Sequence, residues 1–135
     1  MKTTTNLFIA VLLLTLASCT STNKIQNAPM HAGISRTFES DYNQTLQAAR
    51  EAMVESGTAI ESASEVDDGN YIIIGKQGTS AWSWGEMVRV VVTKVNDGET
   101  TVRVYTEKKI SVNVTAKGDY SQSILSNIEL KLRNA

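Results

Sequence analysis

The sequence contains a single cysteine, Cys19, and its position makes it the first candidate for covalent chemistry. It comes shortly after a charge-free apolar run, residues 7–16, which itself follows a start with one positive charge, Lys2. Such a run is typical of the central region of a signal peptide, and it is too short to cross a bilayer, which takes ~20 apolar residues. An odd cysteine in an exported chain is expected to be paired, reactive or modified. The pattern therefore predicts an exported chain whose one thiol is paired, reactive or modified.

The residues Leu16-Ala17-Ser18-Cys19 resemble the lipobox of bacterial lipoproteins, which has the form Leu-small-small-Cys. The resemblance implies that residues 1–18 are a lipoprotein signal peptide and that the peptidase recognises Leu16, Ala17 and Ser18. It also implies that Cys19 becomes the lipid-attached first residue of the mature chain. Because each buried CH2 contributes ~0.8 kcal/mol, several acyl chains would hold the protein on a membrane. The alternative is a secreted protein with an incidental cysteine.

The stretch after the cysteine bears on localisation and on reach. Thr20 follows Cys19, and similarity to lipoproteins of two-membrane bacteria implies an outer-membrane protein facing the periplasm, because an Asp at that position is the usual signal for the inner membrane. Residues 19–33 are mostly polar and small, contain Pro29 and have no periodicity, so they predict a flexible tether. His31, the only histidine, lies in this tether, where solvation is a simpler interpretation than a metal site.

The two tryptophans, Trp82 and Trp84, lie in a glycine-flanked segment, residues 78–85, between two predicted strands. A spacing of two puts both side chains on the same side of an extended segment. Two interpretations stay open. The tryptophans close one end of the core, or they form an aromatic surface that binds a sugar, a peptide or a partner protein, as exposed tryptophans at interfaces do.

Carboxylates are the remaining candidates for catalytic residues. The sequence has no Cys-His pair, no Gly-x-Ser-x-Gly and no glycine-rich phosphate loop between a strand and a helix. A hydrolase needs only two converging acids, for which Glu86, Glu107 and Asp119 are candidates. Solvated strand and cap positions explain these three residues more simply. The sequence therefore predicts no catalytic residue, no metal and no cofactor.

Composition excludes some partners. Removing residues 1–18 takes Lys2 from the 13 basic residues, which leaves 12 against 14 acidic residues and a net charge of −2. Nucleic-acid binding would favour a basic stripe, so we expect no nucleic-acid partner. With no cysteine after position 19, the fold must be held by packing alone. The 102 residues of 34–135 are enough for one modest domain.

Periodicity predicts the elements of this domain. Residues 34–39 predict a short strand, and an apolar face at the helical spacing Tyr42, Leu46, Ala49 and Met53 predicts a helix over 41–56. The period then changes to two. Strands are predicted at 58–66, 71–76, 86–95 and 100–107, with turns at 67–70 and 96–99.

The last strands define the two faces of the sheet. Val88, Val90 and Val92 share one face, and Arg89 lies opposite, a pattern typical of an antiparallel sheet with one face on a core and one in water. The same phase continues to residue 115, so one long strand from 100 to 115 is favoured over two strands with a break near Lys108.

A final helix completes the predicted fold. Asp119 caps it, and an apolar stripe includes Tyr120, Ile124, Leu125, Ile128 and Leu132. The element order β-α-β-β-β-β-α predicts an α+β fold, a two-layer sandwich in which two helices pack on one face of an antiparallel sheet of four to five strands.

The C-terminal third carries a further resemblance. Residues 100–104, Gly118-Asp119 and residues 123–128 resemble a family of small uncharacterised bacterial lipoproteins in which a Thr-x-Val-x-Val strand leads into Gly-Asp and a helix. The element order is also similar to the helix-grip domains of a lipoprotein component of the outer-membrane barrel assembly machinery. The first family implies no catalytic residues, and the second similarity is one of topology, which does not establish function.

Taken together, these patterns predict a non-enzymatic, lipid-anchored envelope protein that presents a small α+β domain to a partner protein or to an envelope polymer such as peptidoglycan. The segment with Trp82 and Trp84 is the expected contact. Two alternatives stay open, a carrier that holds a small apolar ligand between helix and sheet, and a carboxylate-dependent hydrolase.

Overall fold

The computed structural model describes residues 20–80, 83–108 and 120–135. The elements in chain order are α1 Thr20–Gln26, β1 Ile34–Phe38, α2 Tyr42–Glu55, β2 Thr58–Asp67, β3 Asn70–Ser80, β4 Ser83–Asn96, β5 Glu99–Lys108 and α3 Tyr120–Asn134. The strands form one antiparallel sheet in the order β1-β5-β4-β3-β2. Helices α2 and α3 pack against each other and on one face of it. The predicted α+β sandwich is therefore confirmed.

Helix α2 begins and ends where the sequence predicts. The Asp41 side chain accepts a hydrogen bond from the backbone N–H of Gln44 at 3.0 Å, which satisfies a donor that the first turn leaves free. Gly57 has a φ of +84°, the left-handed conformation that ends helices. Three alanines face the sheet and are almost fully buried, so the helix lies close to the strands: Ala48, Ala49 and Ala52.

The main core lies between the helices and the sheet, on the face that the alternation predicts. Val88, Val90 and Val92 of β4 are fully buried there, as are Val102 and Val104 of β5. Register explains this, because Val90 pairs with Val104 and Val92 pairs with Val102, and directly paired residues project from the same face. Whether β5 continues to residue 115 lies outside the described residues, as does the predicted cap Asp119.

The opposite face differs from the prediction, because it is covered rather than exposed. The predicted flexible tether contains α1, and Ile25 of that helix is fully buried against Ile74 and Met87. Arg89, expected in water, is 0% exposed. The physical reason is that this face of the sheet is itself apolar around Arg89, so burial under α1 is favourable.

The chain between α1 and β1 makes a tight approach to the sheet at Gly33. Its φ is +92°, and a Cβ added there would overlap the backbone carbonyl of Val104 and lie 2.9 Å from the Cα of Tyr105. Gly57 also has a positive φ, but an added Cβ would meet nothing within 4 Å. Substitutions at the two glycines can therefore distinguish the effect of backbone strain from that of steric overlap.

We expect Gly33→Ala to lower the free energy of unfolding by more than Gly57→Ala does. Left-handed backbone costs a residue with a Cβ roughly 1–2 kcal/mol at both sites, and only Gly33→Ala adds a clash with backbone that cannot move aside easily. Urea unfolding followed by circular dichroism measures both losses. Equal losses in the two variants would contradict the close approach at Gly33.

Candidate functional site

The predicted lipid-attachment residues lie just before the described part of the chain. Leu16, Ala17, Ser18 and Cys19 are outside the described residues, and Thr20, the residue after Cys19, is the first residue of α1. What the structure shows is how the chain is held immediately after the predicted anchor. That attachment depends on Arg89, a residue that the strand alternation predicts to face solvent.

The Arg89 side chain projects from β4 and binds the C-terminal end of α1. Its guanidinium donates hydrogen bonds to the backbone carbonyls of Ala28 at 2.6 Å and Pro29 at 2.7 Å. It also donates to the carbonyl of Ile25 at 3.1 Å, and to that of Gln26 at 3.5 Å. The last carbonyls of a helix have no partner within the helix and carry partial negative charge. A planar guanidinium with several donors fits that arrangement, so Arg89 fastens α1 to the sheet.

The electrostatics of Arg89 are unusual for a buried charge. Its guanidinium lies 5.6 Å from the centroid of the Tyr105 ring, in the range of a cation–π contact, and no carboxylate among the described residues forms an ion pair with it. Burial lowers the pKa of Arg89, and the nearby Tyr105 opposes that change. The positive charge is therefore stabilised mainly by carbonyl dipoles of the segment it holds.

A second contact fastens the same helix. Lys24 of α1 forms an ion pair with Glu107 of β5 at 2.7 Å, and the hydrogen bond to Glu107 raises the pKa of Lys24. The Lys24 side chain is exposed, so this pair contributes little on its own. Arg103 continues the attachment by donating to the backbone carbonyls of His31 at 3.1 Å and Gly33 at 3.4 Å.

Sequence reasoning missed Arg89, although a signal was present. The residues on either side of Arg89 on its own face, Met87 and Val91, are apolar, so the stretch of β4 is apolar on both faces except for one arginine. A strand that is apolar on both faces is typical of a strand covered on both sides. That pattern predicts a covering element on the Arg89 side without identifying it.

The tryptophan segment differs from the predicted loop. Strands β3 and β4 extend into it, with Ser80 paired to Ser83 and Thr79 paired to Trp84. Trp82 lies outside the described residues. Strand β2 begins at Thr58, which pairs with Gln77, so the last residues of β3 continue past the start of β2. We call residues 78–85 the Trp hairpin.

The base of the Trp hairpin is a row of buried polar side chains on the helix face of the sheet. Thr58 donates to the Gln77 side-chain oxygen at 3.0 Å, and the Gln77 amide donates to the backbone carbonyl of Ser56. Glu86 pairs with Gln77 in register and is 4% exposed. Burial, and secondarily the charge of Glu86, raises the pKa of Tyr120 at the start of α3. The hydrogen bonds tie the base of the hairpin to the C-terminal end of α2.

The carboxylate candidates do not converge. Glu86 projects toward the helices together with Val88, whereas Glu107 pairs with Met87 and projects toward α1, where it binds Lys24. Glu86 and Glu107 are therefore on opposite faces of the sheet and cannot act as one acid pair. Asp119, the third candidate, lies outside the described residues.

The space proposed for an apolar ligand is filled by side chains. Met53 and Ala52 of α2 pack against Ile73 and Val88 of the sheet, and all four are 0% exposed. A cleft of about 360 Å³ lies elsewhere, between β1 and the end of α3. Glu129 lines this cleft and forms an ion pair with Arg36 at 2.7 Å and a longer one with Arg133 at 3.5 Å.

Two further observations concern metals and membranes. Within the described ranges, no group of three or more His, Cys, Asp or Glu side chains is placed to hold a metal ion. His31 takes part in the fold through its backbone carbonyl, which accepts a hydrogen bond from Arg103. None of the helices α1, α2 and α3 has the length and apolar character needed to cross a membrane.

Comparison of the chain with protein-family models and with curated proteins finds no match.

Proposed function

We propose that this chain is a non-enzymatic, lipid-anchored envelope protein that presents its α+β domain to a partner protein or an envelope polymer. The anchor is Cys19, and the location is the outer membrane facing the periplasm. The observation that carries the proposal is the attachment of α1, since the residue that follows the lipobox cysteine begins a helix that Arg89 fastens to the sheet. An anchor held in this way positions the domain instead of only tethering it.

The Trp hairpin is the proposed contact with the partner. Its support is local, because the hairpin continues past the start of β2 and its base, a buried polar row of Thr58, Gln77 and Glu86, is tied to the end of α2. A hairpin on a firm base suits binding, since its backbone loses little conformational entropy when it is covered.

We expect Trp82→Ala combined with Trp84→Ala to reduce partner binding at least tenfold, because tryptophans at the centre of an interface each contribute ~2 kcal/mol or more. Binding is measured in two ways. A photoreactive residue at Thr79 reports protein partners by crosslinking in envelopes, and co-sedimentation with purified peptidoglycan sacculi reports the polymer.

The matched control is Val66→Ala combined with Val95→Ala, which removes two exposed apolar side chains from the opposite end of the sheet. This control should bind like the unchanged protein, and circular dichroism should show both variants folded. Undiminished crosslinking and sedimentation of the tryptophan variant would remove the hairpin from the proposal.

A further inference from the structure

Helix α1 runs in a definite direction over the sheet. Lys24 contacts Glu107, which pairs with Met87. The carbonyls of residues 25, 26, 28 and 29 accept from Arg89. Those of His31 and Gly33 accept from Arg103, which pairs with Val91. From residue 24 to residue 33, the chain therefore advances along β4 from position 87 to about position 90, because Gly33 lies against Val104, which pairs with Val90. Traced backwards, α1 points toward the Trp hairpin, and Thr20 is its first residue.

The two ends of the sheet differ in charge. The turns at the end away from the Trp hairpin carry four acids. The basic residue that the strand register places beside these turns is Lys94, which forms an ion pair with Asp97 at 2.8 Å. These acids are Asp67, Asp68, Asp97 and Glu99. At the hairpin end, the basic residues Lys24 and Lys76 lie on the α1 side, and Lys108 ends β5. The acids described near that end are Glu107, bound to Lys24, and Glu86, which is buried, together with Glu55 of α2, bound to Lys131, and Glu61 of β2, so their charge is balanced there by nearby lysines.

We propose that the Trp hairpin end of the domain faces the bilayer and rests on anionic headgroups, with the acidic turns directed away from it. This inference rests on the lipid anchor proposed at Cys19. One peptide unit, ~3.8 Å between Cα atoms, joins Cys19 to Thr20, so a lipid there cannot lie far from the end toward which α1 points. Basic side chains near an anionic surface are attracted, and acidic turns are repelled, over about one Debye length.

The orientation narrows the partner class of the Trp hairpin. A contact surface that lies at the headgroups is accessible to a protein embedded in the same membrane and is remote from a polymer held above it. The partner is therefore a membrane-embedded envelope protein rather than peptidoglycan. Arg89 is the positioning residue, because release of α1 would replace a fixed orientation by a tether of about fourteen residues spanning up to ~45 Å.

The test couples the chain from Cys19 to Ala135, through its single thiol, to a maleimide lipid in nanodiscs that contain phosphatidylglycerol and a headgroup spin label. Amide signals then report proximity to the lipid. Broadening at Gln77 and Gly78 should exceed that at Asn70 and Gly98 by about tenfold, since these positions are separated by ~25 Å along the strands. The same spectra show whether the domain is folded.

Matched variants test the role of charge. Lys76→Glu should reduce the difference between the two ends at least threefold, whereas Lys94→Glu, the same change at the other end, should leave it in place. Salt at about 1 M, where the Debye length is ~3 Å, should act like Lys76→Glu. Equal broadening at both ends, stronger broadening at the acidic turns, or equal effects of the two variants would overturn the orientation.

The coupling to a maleimide lipid also separates this proposal from the one it rests on. Natural acylation of Cys19 is read from the mass of the protein isolated from cells. The orientation is read from chains that carry a lipid by chemical attachment. An acylated protein without a preferred orientation would contradict only the orientation, and an unmodified Cys19 would contradict the anchor.

Discussion

Replacing Arg89 with methionine is expected to release α1 from the sheet while the five strands and the helices α2 and α3 stay folded. Methionine keeps the apolar contacts of the stem but donates no hydrogen bond to the carbonyls of residues 25, 26, 28 and 29. Each hydrogen bond from a charged group contributes about 1.5–3 kcal/mol. Part of the stability lost in the methionine variant is offset, because methionine has no charge whose burial costs free energy. We expect the free energy that holds α1 to fall by roughly 2–3 kcal/mol.

Limited trypsin digestion measures this release at one peptide bond. Cleavage after Lys24 requires α1 to open, so its rate should rise roughly 30–160-fold, in proportion to the population of the open form. Cleavage at that bond is read by mass, separately from other sites. Amide hydrogen exchange at Asn27, whose N–H donates to the carbonyl of Asn23, should accelerate by a similar factor.

Two further variants identify the cause of the release. Arg89→Lys keeps the charge but cannot match the planar set of donors, so it should lie between the unchanged protein and the methionine variant. Arg103→Met also removes donors to backbone carbonyls, at a more exposed site, and should increase cleavage only a few-fold. If the Arg89→Met chain is cut after Lys24 at the unchanged rate, α1 is not held by Arg89.

Cys19→Ser is expected to move the protein from the membrane fraction to the soluble fraction and to abolish the mass of the attached lipid. The loss should be close to complete, since two or more acyl chains at ~0.8 kcal/mol per buried CH2 supply far more energy than the few exposed charges of the domain. Fractionation of cells followed by intact-mass measurement tests both parts. Ser18→Ala, which keeps a small residue before the cysteine, is the control and should stay in the membrane fraction.

A residual association of the serine variant is informative. If the hairpin end rests on anionic headgroups, a minor part of the Cys19→Ser protein should remain on membranes at low salt and leave them at high salt. A serine variant whose mass shows the loss of residues 1–18 and which stays on the membrane through a salt wash would show that Cys19 is not the anchor. An unmodified Cys19 in the unchanged protein would lead to the same conclusion.

The sequence already held information against one alternative that was left open, an acid pair, and about the environment of Arg89. Glu86 projects from the same face of β4 as Val88, whereas Glu107 projects from the face of β5 opposite to that of Val102 and Val104. Alternation along each strand, together with the short turn that joins them, therefore already placed the two acids on opposite faces. Likewise, the apolar neighbours of Arg89 indicated a strand covered on both sides. Physical rules available in the sequence were sufficient for these two points.

What the sequence by itself determined were the features that depend on near neighbours. Asp41 marks the start of α2 and Gly57 its end, and short acidic turns connect the strands of the hairpins. The valines of β4 and β5 select the face of the sheet that packs on the core. Caps, turns and alternation all act within a few residues. Only the tertiary structure decided the position of α1. A seven-residue helix is too short to be stable alone, so it forms where Arg89, more than sixty residues away, donates to backbone carbonyls at its C-terminal end and just beyond it.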